Sequence, residues 1–262
     1  MTSYLIIGAG NFGAGTALSL IKRQGTSKVT LVDTTQFPNP RAASHDINKI
    51  VRDDYPDELY MKMLKNAMPL WRNHDLYKTW YHEVGMLRAD PSNFGAESLA
   101  SYKKLGIEND AQFLPVEEVR RRWNGVFSTA NFGDLDKVLF NPSVGFAEAD
   151  KALGAVIQEA VKQGVEYVVG VMTRLSFGIN GECIGVILQS GETLHADKIL
   201  LATGARTASI LAQSAPQQDS QLHAGSRLLA TGAVSFYAKV HGAQKERLSS
   251  VPVFKNCLPQ VK

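Results

Sequence analysis

Cysteine is almost missing from this chain: among 262 residues only Cys183 and Cys257 carry a thiol. Two thiols so far apart exclude a disulfide framework and the paired spacing of a zinc site, and they suit a reducing compartment. A charge excess is missing too, since 28 Lys and Arg against 25 Asp and Glu leave a net charge of +3. The basic residues are scattered except for Arg120-Arg121-Arg122, which falls in a polar helical stretch and reads as a solvated face. Nucleic acid is therefore not an expected partner. No apolar run approaches membrane-spanning length, so no membrane partner is expected either. The six histidines, His45, His74, His82, His195, His223 and His241, are dispersed. None forms ligand spacing with a cysteine or carboxylate, which leaves no metal site and no nucleophilic triad. The chain enters its first apolar run at once, without a signal peptide, and its final Gln-Val-Lys is not a peroxisomal tripeptide. A cytoplasmic location is the expectation.

What is present is concentrated in residues 4–33, YLIIGAGNFGAGTALSLIKRQGTSKVTLVD. A short apolar run, as in a strand buried on both faces, leads into Gly8-Ala9-Gly10-Asn11-Phe12-Gly13. Ala17, Leu18, Leu20 and Ile21 then recur at helical spacing, Gly25 closes the helix, and a second apolar run ends on Asp33. In such a strand–turn–helix–strand unit each part has a physical task. Gly8 permits the tight turn, Gly10 lets backbone approach a pyrophosphate, and Gly13 lets the helix pack close to the sheet. The helix N-terminus offers free N–H groups and partial positive charge to phosphates. Asp33 is placed to accept from a ribose hydroxyl, with Thr34 beside it. A glycine-rich turn without a ligand is the competing reading.

Beyond Asp33, Pro38 and Pro40 punctuate a loop, and Ala42-Ala43-Ser44-His45 supplies the small and polar side chains that suit close approach to a ligand. Lys49 and Arg52, at i and i+3, would share one helical face. Residues 57–80 read as a long amphipathic helix, with Leu59, Met63, Met68, Leu70 and Trp71 marking its apolar faces and Pro69 as a break or kink. A strand-like stretch, 81–89, carries Gly85 as a bulge or a point of close approach. Helices are expected over 92–104 and 115–123, and again over 147–163 after a turn in 139–145. A strand at 165–171, including Val168, follows and resumes the nucleotide-binding sheet. Runs at 172–177, 183–189 and 193–195, separated by Asn180-Gly181 and Ser190-Gly191, form a β-meander. A buried strand then ends on Ala202-Thr203-Gly204. Residues 226–240 alternate as a strand would, and 249–254 suggest another.

One βαβ unit would serve NAD or FAD alike. The meander followed by a strand ending in Ala-Thr-Gly resembles the usual layout of flavin disulfide reductase-like and amine-oxidase-like flavoproteins, and that resemblance favours FAD; the small residues there let backbone pass close to the dinucleotide. At this point the chain resembles the FAD-dependent amine oxidoreductases of the D-amino-acid oxidase and monomeric sarcosine oxidase group. It is most similar to the fungal fructosyl amino acid oxidase and saccharopine or pipecolate oxidase branch. The residues that carry the likeness are GAGNFG with Asp33, SHDINKIVRDDY, YHEVGMLR, EEVRRRW, LFNPSVGFAEADKAL and ADKILLATGA, nearly the whole chain.

The resemblance implies an α/β fold: a Rossmann-like, glutathione-reductase-type FAD-binding domain interleaved with an incomplete α+β substrate domain. Residues 1–82 and 146–216 would form the first, and 83–145 and 217–262 the second. It implies oxidation of the carbon–nitrogen bond of a small N-substituted amino acid, such as an N-methyl, fructosyl or saccharopine-like substrate, with dioxygen as acceptor. The cofactor would be held by Gly8, Gly10, Asn11, Phe12, Gly13, Asp33, Thr34, Ser44, His45, Val168, Thr203 and Gly204. Ser44 would lie at the phosphates and His45 beside it. Spacing alone makes Lys49 and Arg52 a basic face pairing Asp46 or Asp53; the resemblance instead makes them catalytic, near the isoalloxazine. Family members continue further, to a flavin-linking cysteine for which Cys257 falls too early. Non-covalent FAD and a truncated chain are therefore expected, with activity of the chain on its own left open. The alternatives are an NAD(P)-dependent dehydrogenase and a non-catalytic nucleotide-binding remnant.

Overall fold

A computed structural model describes residues 2–23, 28–215, 222–232 and 234–259. Gly25, expected to close the first helix, and the terminal Gln-Val-Lys lie outside the described residues. The chain opens with β1 (Ser3–Ile7), α1 (Asn11–Arg23) and β2 (Lys28–Asp33). After a long loop come β3 (Lys49–Val51), α2 (Glu58–Asn73), β4 (Tyr81–Glu83), β5 (Met86–Ala89) and α3 (Phe94–Leu105). Next are β6 (Gln112–Pro115), α4 (Val116–Arg121), β7 (Lys137–Asn141), β8 (Gly145–Ala147) and α5 (Ala149–Lys162). The remainder is β9 (Glu166–Val169), β10 (Met172–Phe177), β11 (Cys183–Leu188), β12 (Thr193–His195), β13 (Lys198–Leu201), α6 (Thr207–Ser214), α7 (Gly242–Leu248) and β14 (Val253–Asn256). No helix of the described residues is long and apolar enough to cross a membrane.

These elements form two compact units, residues 1–47 with 149–235 and residues 48–148 with 236–262. The chain crosses between them after residues 47, 148 and 235, whereas the expected boundaries are 82, 145 and 216. The reason is strand pairing. β3 joins β8 and β4 in an antiparallel sheet, so the chain leaves the first unit directly after the loop that follows β2.

The first unit is built on a parallel sheet of order β13-β1-β2-β9. β1 lies between two strands, so Leu5, Ile6 and Ile7 are all buried. This is why its sequence is continuously apolar rather than alternating. β13 was expected to be buried as well, yet it is an edge strand and Leu200 is 41% exposed. α1 packs on α5. The meander β10-β11-β12 forms its own sheet, and Met172, Leu175, Val186 and Leu188 join Leu5, Ile7, Val32 and Ile210 in one core.

The second unit holds the sheet β3-β8-β4 and a mixed sheet of order β14-β5-β7-β6. The stretch expected as one strand with a bulge is two strands in two sheets. Gly85, at φ +77°, makes the switch, and an added Cβ there would sit 2.9 Å from the Phe140 ring. α2 starts on Asp57, whose side chain accepts from the N–H groups of Leu59 and Tyr60. It ends at Asn73, with Pro69 inside it, rather than running to 80. Its buried positions are Met61 and Met68, whereas Leu59, Met63 and Leu70 are exposed. Of the residues expected to mark its apolar faces, only Met68 is buried. The strand expected over 226–240 is not formed by the described residues there. They pair with no other strand, and Leu229 and Phe236 are exposed.

Candidate functional site

In the first unit the C-terminal ends of four parallel strands bring together segments far apart in sequence. Ile7, Asp33, Val169 and Leu201 all end at the same edge through the register of β1 with β2 and β13, and of β2 with β9. That edge is where open α/β sheets bind ligands. It collects the glycine turn, Asp33-Thr34, Val168 and Thr203-Gly204.

The three glycines have distinct duties. Gly8, at φ +101°, donates its N–H to the Val32 carbonyl at 2.7 Å, and a Cβ there would come within 2.4 Å of the Ala202 carbonyl oxygen. Gly13 would place a Cβ 1.8 Å from the Gly8 carbonyl oxygen. Both are therefore required by the fold itself. Gly10 differs: the nearest atom to its Cβ position is the Ser44 hydroxyl oxygen, at 3.3 Å. That hydroxyl is buried and has no hydrogen-bond partner. A buried donor without an acceptor is costly, so an acceptor is called for here. α1 begins at Asn11 beside this gap and carries no acidic residue in its first turn, which leaves its N-terminal partial charge uncompensated. A diphosphate supplies the acceptor and the negative charge together. The cradle therefore fits the diphosphate of a dinucleotide such as FAD.

Asp33 has a second task that spacing did not reveal. It is 7% exposed. Its Oδ2 accepts from the Ala9 N–H at 2.7 Å, and Oδ1 accepts from the Thr34 N–H at 2.6 Å and the Asn39 side-chain amide at 2.5 Å. The carboxylate thus staples the glycine turn to the loop after β2. Oδ2, with a single partner, keeps capacity for a further donor such as a ribose hydroxyl. Asn39, between Pro38 and Pro40, was missed in the sequence because an asparagine in a loop carries no pattern. Tyr167 on β9 was also missed: its hydroxyl donates to the Thr35 carbonyl at 2.9 Å, and its ring meets Phe37 edge-on. Burial pushes its pKa up.

The remaining expected cofactor residues are arranged around this edge. Asn11 and Phe12 are exposed on the first turn of α1, Phe12 at 86%. Gly204, at φ +54°, has open space at its Cβ position. The Thr203 hydroxyl pairs with the Thr207 hydroxyl at 2.9 Å. His45 sits in a turn closed by its N–H to the Ala42 carbonyl.

Lys49 and Arg52 belong to the second unit, and the expected shared helical face does not exist. Lys49 is an exposed residue of the strand β3, and Arg52 follows that strand outside any helix with its side chain 13% exposed. Arg52 does pair with an acid, but with Asp54 rather than Asp46 or Asp53: Nη1 donates to the Asp54 carbonyl and, at 3.1 Å, to its Oδ2. Asp53 is engaged elsewhere, accepting from the Tyr102 hydroxyl at 2.6 Å and the Asn141 amide at 3.2 Å. Burial, with Asp53 beside it, drives the Tyr102 pKa well above the ordinary tyrosine range.

Comparison with known proteins decides the family. Residues 3–252 match the family model described as FAD dependent oxidoreductase. The chain belongs to this family. Among curated relatives of the FAD dependent oxidoreductases, it is 30% identical over 217 residues to L-saccharopine oxidase of Schizosaccharomyces pombe, covering 77% of this chain and 50% of that protein. It is 29% identical over 157 residues to the peroxisomal sarcosine oxidase of Mus musculus, covering 58% of this chain and 38% of that protein. Among solved structures, a thermally stable mutant of fructosyl peptide oxidase superposes with a TM-score of 0.65 at 28% identity, over 79% of this chain and 50% of that one. The chain spans about half the length of the curated relatives it aligns with most fully, 50–53%. The family membership sets aside the NAD(P)-dependent dehydrogenase considered from the sequence.

Proposed function

We propose that this chain holds FAD non-covalently and belongs to an oxidase of N-substituted amino acids. The observation that carries the reading is the Gly10–Ser44 gap at the start of α1, where a buried hydroxyl without a partner meets a helix N-terminus without an acidic cap. Ser44, the turn residues Gly10, Asn11 and Phe12, and the N-terminus of α1 would hold the diphosphate. Asp33, with Thr34, would bind the ribose, and Val168, Thr203, Gly204 and His45 would line the same edge.

Held by these residues, FAD would supply a two-electron acceptor for the hydride on the carbon bonded to the amine nitrogen, the nitrogen giving up its proton, with dioxygen then reduced to hydrogen peroxide and the imine product hydrolysed by water. Lys49 and Arg52 are proposed as the cations that favour the reduced, anionic cofactor; their support is the resemblance of the SHDINKIVRDDY segment. Small secondary-amine amino acids are the proposed substrate class, because relatives are named for saccharopine, sarcosine and fructosyl peptide oxidation. A cytoplasmic location suits two free thiols, one of them, Cys183, exposed.

The test has two parts. Titrating the purified chain with FAD while following flavin fluorescence should give saturable binding that is weakened by Ser44→Ala. Peroxide should then form from sarcosine, saccharopine or a fructosyl amino acid without added nicotinamide. Absence of flavin uptake, or turnover that needs NAD(P), would overturn the reading.

A further inference from the structure

Arg52 is enclosed by its sequence neighbours Asp54 and Tyr55 and by Phe94 of α3. Its guanidinium lies 4.0 Å from the Tyr55 ring centroid and 5.3 Å from that of Phe94, and Nη1 is fixed by both the carbonyl and the carboxylate of Asp54. The Arg52 side chain is 13% exposed and that of Asp54 is 0% exposed. Asp54 is thus a fully buried acid with one oxygen on Arg52, while the other, Oδ1, has no partner. A structural ion pair would be expected to satisfy both oxygens.

The charged and titratable groups around Asp54 come from three directions. Asp53, adjacent in the chain, is held by Tyr102 of α3 and Asn141 of β7. Arg88 of β5 lies 3.5 Å from the Phe94 ring centroid, pairs with Asp90 at 2.8 Å, and leaves its own Nη1 buried without a partner. Arg52 completes the set. Burial is the largest influence on Asp54 and raises its pKa; Arg52, the Asp54 backbone and Arg88 oppose it, and Asp53 adds to it.

We propose that Asp54 is the positioning residue of Arg52: an internal carboxylate that fixes the guanidinium while ionised and releases it on taking up a proton. Its meaning for catalysis rests on the assignment of Arg52 made above; the coupling itself does not. Ionised, Asp54 restricts a long side chain to one orientation before any ligand arrives, the kind of preorganisation that lowers the entropic cost of binding. Protonated, it loses the charge that draws Arg52, leaving the guanidinium held by the Asp54 carbonyl and the rings of Tyr55 and Phe94 alone and with more freedom to rotate.

The full chain labelled with ¹³C at aspartate Cγ and ¹⁵N at arginine tests this by NMR, with Arg52→Lys and Asp54→Asn identifying the two signals. On acidification, the Asp54 Cγ and Arg52 side-chain signals should move together, with a midpoint above the ordinary aspartate value. Asp54→Asn should hold Arg52 in its released position at every pH. Arg52 signals that ignore Asp54 would overturn the proposal. If Asp54→Asn does not fold, the wild-type titration alone decides. In the FAD-loaded chain the same variant should raise KM roughly tenfold with a smaller change in kcat and remove the acid limb of the pH profile, with Asp54→Glu partly restoring both. Coupled NMR titrations with unchanged kinetics would leave the positioning intact and remove Arg52 from the reaction instead.

Discussion

At the residue scale the glycine turn separates requirements that a motif treats as one. Gly13→Ala gains about 1 kcal/mol of helix propensity, yet the new Cβ would fall 1.8 Å from the Gly8 carbonyl oxygen. Steric displacement of backbone wins, so thermal unfolding should show a marked loss of stability in the apo chain. Gly10→Ala is different. Its Cβ would meet only the Ser44 hydroxyl, 3.3 Å away. Apo stability should therefore hold, while FAD affinity measured by fluorescence titration falls, because the methyl group occupies the diphosphate's approach. Ser44→Ala removes a buried hydroxyl that has no partner in the apo chain. Stability should stay level or rise, and FAD affinity should drop about tenfold, the equivalent of one lost charge-assisted hydrogen bond. A Ser44→Ala chain that keeps full affinity would remove the hydroxyl from the cofactor site.

At the element scale, α2 shows what periodicity leaves open. Its sequence contains apolar residues on more than one face, and only packing chose between them. Met68 is 2% exposed and packs with Val51, Tyr81, Met86 and Val144, whereas Met63 is 57% exposed. Met68→Ala should cost about 2–5 kcal/mol by chemical denaturation, and Met63→Ala should stay within about 0.5 kcal/mol. Equal costs would mean that the helix is rotated from the orientation described. β3 makes the same point. Lys49-Ile50-Val51 lies among residues compatible with a helix, but pairing with β8 makes it extended, so the helical face expected for Lys49 and Arg52 is not formed.

For the whole molecule, buried tyrosines set an alkaline limit. Tyr77, Tyr81, Tyr102 and Tyr167 all have raised pKa values, with burial as the largest cause. Above the ordinary tyrosine value of about 10 the unfolded chain loses these protons first, so it binds fewer protons than the native state and stability falls as pH rises. The stabilising contribution is complete below that value and is lost progressively as pH rises from it through the raised values of the folded chain. Following phenolate absorbance during an alkaline titration should show part of the eight tyrosines ionising only as the fold is lost. A single smooth titration with the chain still folded would contradict this burial.

The sequence alone determined the first βαβ unit and the meander. These rest on local signals: φ-permissive glycines, short apolar runs and turn dipeptides whose meaning does not depend on distant partners. Tertiary structure decided the rest. The parallel register brought Thr203-Gly204 beside Gly8, Asp33 was given its task as staple by Ala9 and Asn39, and Asp54 rather than Asp53 became the partner of Arg52. Adjacent carboxylates look identical in a sequence. Which one meets an arginine and which meets a tyrosine is set by strands and helices that arrive from elsewhere in the chain.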